Sequence, residues 1–321
     1  FLENLTVGIL PKHSWEGVSP EKFALNDLNL RPVGSGPFRV EGFKKDSNGD
    51  ILSYELRAFP DYFEGAPFLQ KVTLFFYHGE EELVSAYNRR EILGMSNISP
   101  EKWSQFEGKQ RVVLHQAMQP RVFAVFLNEK KSIPIASEQV RRALAFATDR
   151  EALVRDIFLG FGSPAYSLFS PGMDAYSSAG EEYRFDLDKS KKLLDDAGWT
   201  PGSDGVREKS GTRLEFDLET PNWPEIVKSA NLVAEQWGRV GARVSVKVLD
   251  TISDAQRTIR SREYQSLLYG LATTSDPDPY SCWHSEQSGE SGYNFSLFSD
   301  KRADELLTDA RETIDAGARS G

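Results

Sequence analysis

The stretch RLEFDLETPNWPEIVKSANLVAEQWGRVGARVSVKVL, Arg213–Leu249, decides the fold class. Leu214, Phe216 and Leu218 alternate with charged residues, the period of a half-buried strand. Pro224 stands where a helix can begin without losing a hydrogen bond. Ile226, Ala230, Val233, Trp237 and Val240 then recur at helical spacing, and Gly241 ends the helix. Val244, Val246 and Val248 alternate again. Strand, helix and strand with short connections form a βαβ crossover, so the two strands are expected to be parallel in one sheet. The fold class is α/β.

Working outward, Tyr264–Leu271 reads as a further apolar strand, and Arg121–Asn128 (RVFAVFLN) as an extended run. Two helices are expected after Pro134, the second opening on Thr148-Asp149-Arg150-Glu151. That tetrad predicts a capping box in which the Thr148 hydroxyl takes the third amide of the helix while Glu151 reaches back. A helix over Asp188–Ala197 is stopped by Gly198, and PGSDGVREKSG is turn chemistry next to paired strands. In the first third, Pro37–Phe43 and Ile51–Phe59 flank the turn DSNGD and predict a hairpin. Lys71–Tyr77 reads as a strand and Glu80–Asn88 as a helix. The acidic spacing in DSNGD is wrong for a calcium loop.

The 321 residues are 39% apolar and 12% aromatic, enough for a sizeable core and two domains of ordinary size. The net charge is −10 and the basic residues are scattered, which argues against nucleic acid or an anionic membrane as the main partner. The single cysteine excludes an intrachain disulfide and a Cys-rich metal framework. No apolar run reaches membrane-spanning length, and no signal peptide opens the chain. It begins Phe1-Leu2-Glu3 and ends ARSG after a helical pattern, so it is expected to be a piece of a longer protein.

The densest chemistry lies in TTSDPDPYSCWHS, Thr273–Ser285. The chain has no G-x-S-x-G elbow, no phosphate loop and no H-E-x-x-H. Cys282 and His284 are spaced to supply two metal ligands, or are a buried apolar group and a loop residue. Asp276 and Asp278 are an acid–base pair, or two turn openers whose carboxylates bond local backbone before a proline. VGSGPFRV, Val33–Val40, is not a nucleotide fingerprint, since no helix follows it. ETPNWPE, Glu219–Glu225, lies after the first strand of the βαβ unit, where α/β sheets bind ligands. This makes Trp223, with Asn222 beside it, a candidate ligand wall; the other reading is a plug over the helix start.

Taken in order, VGSGPFRV, LRAFPDYFEGAPFLQKVTLFF, VRRALAFATDREALV, FDLDKSKKLLDDAGWTPGSDGVREKSGTRLEFDL, AEQWGRVGARVSV and YGLATTSDPDPYSCWHS resemble the family 5 extracellular solute-binding proteins of ABC transporters. The resemblance spans about Leu10 to Ala310. It implies a two-lobed α/β architecture of the periplasmic-binding-protein type (class II, cluster C) with an incomplete first lobe. It assigns residues 1–119 to part of the first lobe, 120–266 to the second lobe and 267–321 to the return into the first. The second lobe, about Gln119–Gln265, is expected to be self-contained. Peptide binders of the family commonly place an Asp four residues after the glycine of the returning strand, where it pairs with the peptide's amino terminus. Here that glycine is Gly270 and the residue is Thr274, while Asp276 could substitute after a loop shift; the aromatic that often follows the glycine is Leu271.

The resemblance therefore implies capture of a peptide or another small solute by lobe closure, with Arg121–Asn128 and Tyr264–Leu271 as hinge strands. It leaves sugars and metal complexes open as ligands. The candidate ligand-binding residues are Thr274, Asp276, Asp278, Tyr280, Trp223, Asn222 and Arg260; Arg260 and Arg262 either pair with an anionic ligand group or are solvated helix-face arginines. No enzyme activity, cofactor or metal is expected. The expected partners are the ligand and the permease subunits, with no nucleic acid; the protein is expected to be a monomer. It is expected in the periplasm or outside the cell, meeting the membrane only through an anchor or the permease. The rival from another class is a hydrolase using Asp276 and Asp278, and a third reading is a scaffold with exposed apolar grooves.

Overall fold

A computed structural model describes residues 8–117, 119, 121–169, 176, 178–272, 278–313, 315 and 317–318. The chain divides into two compact units, residues 1–107 and 108–321. In the first, β1 (Phe38–Lys45) and β2 (Ile51–Ala58) form an antiparallel hairpin, and β3 (Lys71–Phe75) pairs antiparallel with β2. The expected hairpin is present, and its turn closes on one side chain. The Asp46 carboxylate accepts the amides of Asn48 and Asp50, each at 2.8 Å. β1 rather than a helix follows the glycines of VGSGPFRV. Helix α1 (Glu80–Asn88) opens with Glu80, Glu81 and Glu82, charges that suit a helix N-terminus.

The second unit is built on a four-stranded sheet. β4 (Arg121–Leu127) precedes two helices, α2 (Glu138–Phe146) and α3 (Leu187–Asp196). The crossover is β5 (Glu215–Pro221), α4 (Pro224–Gly238) and β6 (Arg243–Leu249). Helix α5 (Ile252–Ser261) leads to β7 (Ser266–Ala272), and α6 (Lys301–Glu312) follows later in the chain. The strand order is β4-β7-β5-β6. β5 is parallel to both β6 and β7, and β7 is antiparallel to β4.

Alternation sorts the strands onto two faces. Phe216, Leu218 and Leu268 pack with Val140 and Leu144 of α2, Leu194 of α3, and Ile226, Val233 and Trp237 of α4. Phe126, Leu267 and Leu271 face the other way, with Tyr264 and Phe295. Gly241 holds φ at +90°, and a Cβ there would lie 2.7 Å from Cγ of Arg207. Glycine is needed for both reasons. The turn sequence between α3 and β5 makes a small antiparallel sheet of residues Thr200–Pro201, Arg207–Lys209 and Thr212–Arg213.

Two local expectations are corrected. The capping box is not formed: Asp149, not Thr148, is the N-cap, and its carboxylate accepts the Ala152 amide at 2.9 Å. The Thr148 hydroxyl instead donates to the Leu144 carbonyl at 2.8 Å and accepts the Trp237 indole N–H at 2.9 Å. Glu151 accepts the Tyr166 hydroxyl at 2.8 Å, so it does not reach back. A carboxylate makes the stronger, charge-assisted cap, which frees the hydroxyl to satisfy a buried indole. The expected strand over Tyr264–Leu271 begins two residues later, at Ser266. Tyr264 is a buried anchor whose hydroxyl donates to the Phe295 carbonyl at 2.7 Å.

Candidate functional site

Because β5, β6 and β7 run parallel, their carboxyl ends share one edge of the sheet. β4 starts at that edge, with Arg121 opposite Ala272. The connections at 222–223 and 250–251 leave from there, and β7 ends there at Ala272. Loops at this edge carry ligand sites in α/β sheets because no helix or strand covers the strand ends.

Asn222 is exposed, and its amide is held by the Leu249 carbonyl at 3.2 Å. Trp223 is the residue before α4, with its carbonyl accepting the Ile226 and Val227 amides. Its side chain is 42% exposed and stacks on Tyr269, with ring centroids 6.1 Å apart and planes at 28°. It is therefore not a plug buried over the helix. Tyr269 meets Phe295 edge-on at 6.0 Å on its other side. The result is an aromatic ledge at the sheet edge, anchored in the core at Phe295 and open at Trp223.

The segment after β7 is a structural knot where it is described. The Asp278 carboxylate accepts the Tyr280 amide at 3.1 Å and Nε of Arg311 at 2.9 Å. The Arg311 guanidinium also lies 4.0 Å over the Tyr280 ring. Tyr280 donates its hydroxyl to Glu286 at 2.9 Å and stacks on His284 at 4.1 Å. Asp278 is thus a turn opener tied to α6, with its oxygens already engaged. Thr274 and Asp276 lie outside the described residues.

His284 is buried, with Nδ1 accepting the Glu286 amide at 3.2 Å. Cys282 packs at the edge of the Phe126–Phe295 cluster, and burial pushes its thiol pKa up. Among the described residues no group of three His, Cys, Asp or Glu side chains is placed to hold a metal ion. Arg260 is exposed on α5. Arg262 fits neither reading made for it. It is only 4% exposed, caps α5 in a left-handed conformation (φ 58°), and donates to the Gly289 and Gly292 carbonyls at 3.1 and 2.6 Å. Its guanidinium lies 4.8 Å over Phe295.

Two residues of this edge were not singled out from the sequence. Tyr269 lies inside an apolar strand and is the polar-tipped member of the row Leu267, Tyr269, Leu271. Glu219 was read as the start of a loop, but it lies within β5. Strand alternation past Leu218 was the available signal for both its face and its exposure.

The family model described as bacterial extracellular solute-binding proteins, family 5 middle, matches residues 4–293. The oligopeptide-binding protein AppA of Bacillus subtilis is 28% identical over 97% of this chain and 57% of its own length. The dipeptide-binding protein of Escherichia coli is 25% identical over 94% of this chain and 53% of its own length. This chain thus spans a little over half the length of these relatives. The solved structure of Bacillus subtilis AppA in complex with a nonapeptide superposes with a TM-score of 0.75 at 26% identity, covering 97% of this chain and 62% of that one.

Proposed function

The chain belongs to the family 5 bacterial extracellular solute-binding proteins, and from that premise we propose that it is part of the substrate-binding component of an ABC importer. Its ligand is a peptide or a similar small solute, handed on to a membrane permease. The observation that carries this reading is the Trp223–Tyr269 stack, exposed at Trp223, at the carboxyl edge of the parallel strands. Exposed aromatic faces at such an edge bury a ligand's apolar surface at little entropic cost, because each ring has few rotatable bonds. The relatives named above are binding proteins rather than enzymes. The engagement of Asp278 by Arg311 and a backbone amide also disfavours a carboxylate pair in acid–base work.

The lobe division at 1–119, 120–266 and 267–321 belongs to this proposal, as does a periplasmic or extracellular location. Pairing of β4 with β7 along their full length supports treating the two crossing strands as a unit. Ligand would favour the closed arrangement by its differential affinity for it. Native mass spectrometry of the full-length protein purified from its host should show a retained small molecule of defined mass. Trp223→Ala should weaken its binding roughly tenfold, the scale of losing a buried aromatic contact. If no molecule is retained, no peptide binds, and the protein instead cleaves peptides or glycosides in an Asp276-dependent way, the hydrolase reading replaces this one.

A further inference from the structure

The face of the sheet that carries Tyr269 also carries a carboxylate that, among the described residues, has nothing bonded to it. Glu219 lies opposite Leu267 of β7 and Lys247 of β6. Phe216 and Leu218 point into the helix-covered core, so Asp217 and Glu219 take the opposite face, that of Leu267, Tyr269 and Leu271. Glu219 is half-buried, and among the described residues its carboxylate takes neither a hydrogen bond nor an ion pair. Lys247 across the strand is exposed and does not close on it. A half-buried carboxylate without hydrogen bonds is destabilising, since desolvation is not offset by new bonds. Burial, with the neighbouring Asp217 charge second, raises its pKa against the smaller opposing pull of the Lys247 charge.

Tyr269 lies two residues beyond Leu267, and so is a diagonal neighbour of Glu219 on the same face. Diagonal pairs are within reach of aromatic side chains. The Tyr269 ring stacks on Trp223. Aromatic faces attract cations through their quadrupole, and a carboxylate supplies full charge and hydrogen-bond acceptors. Among the described residues no group of three His, Cys, Asp or Glu side chains is placed to hold a metal ion, so an organic cation fits better.

We propose that Glu219, with Trp223 and Tyr269 beside it, forms a subsite for a cationic group of the ligand, an ammonium or a guanidinium. The inference rests on the solute-capture reading above and names the chemistry that reading leaves open. It places charge recognition on β5, away from position 274, where this chain has Thr.

The test is calorimetric titration of the full-length protein with the tripeptides Ala-Lys-Ala, Ala-Ala-Ala and Ala-Glu-Ala, each with a free and an acetylated amino terminus. Native mass spectrometry of the host-purified protein runs alongside. The wild type should prefer the cationic probes. Glu219→Gln should weaken those by about tenfold or more while changing neutral probes less than about twofold, as expected for removal of one partner of a desolvated charge pair. Glu219→Asp should retain part of the preference. Thermal unfolding of Glu219→Gln should be no lower than wild type, which separates lost recognition from lost folding. Unchanged affinities in Glu219→Gln, tighter binding of the acidic probe, or a retained solute without a cationic group each overturn the subsite while leaving solute capture standing. If the wild type binds no probe and retains no solute, the capture reading itself fails.

Discussion

Arg260 and Arg262 are two residues apart and have opposite environments. Arg260 is solvated on α5, whereas Arg262 is buried against Phe295 and holds the carbonyls of Gly289 and Gly292. Arg262→Ala should cost roughly 2–4 kcal/mol in chemical denaturation, because it takes a donor from the buried Gly292 carbonyl and removes a packed side chain. Arg260→Ala should stay within about 0.5 kcal/mol. Glu219 gives a pH signature. Its folded-state pKa is raised above the unfolded value, so folding favours the protonated form. Its contribution is fully present below the unfolded pKa and is lost as pH rises through the folded one. The stability of Glu219→Gln relative to the ligand-free wild type should therefore grow as pH goes from about 4 to about 7. A flat difference across that range would contradict the unbonded carboxylate.

At the scale of elements, sequence period and turn chemistry were legible wherever neighbours within a few residues decide the outcome. The βαβ unit, the hairpin and α1 lie where the pattern puts them. The capping tetrad failed because Trp237, far along the chain, supplies a buried indole N–H that the Thr148 hydroxyl accepts. Asp149→Ala should cost about 1 kcal/mol as a lost N-cap. Thr148→Val should cost about 1 kcal/mol, because the Trp237 indole N–H loses one of its two acceptors and keeps the Leu144 carbonyl at 3.0 Å. The β4–β7 pair depends on Gly270, where an added Cβ would stand 2.7 Å from Cε1 of Phe123. Gly270→Ala should destabilise by roughly 1–3 kcal/mol by overpacking, read as a lower melting temperature. Phe123→Leu should relieve part of that penalty.

At the scale of the whole molecule, β7 lies between β4 and β5, and Phe295 packs on the face of the sheet opposite α2, α3 and α4. A fragment ending at residue 265 lacks this central strand. It should show no cooperative unfolding, while residues 108–313 should unfold as one transition. A cooperative transition in the shorter piece would show that the sheet does not need β7. By itself the sequence determined the α/β class, the crossover and most element positions, because local periodicity and short connections encode them, while its ordered series of motifs carried the family resemblance. The tertiary structure alone decided that Arg262 is a clasp, that Asp278 is tied to Arg311, that Trp223 stacks on Tyr269, and that Glu219 is left unbonded among the described residues. These depend on partners up to tens of residues away, and no spacing rule within one segment carries the identity of what packs against it.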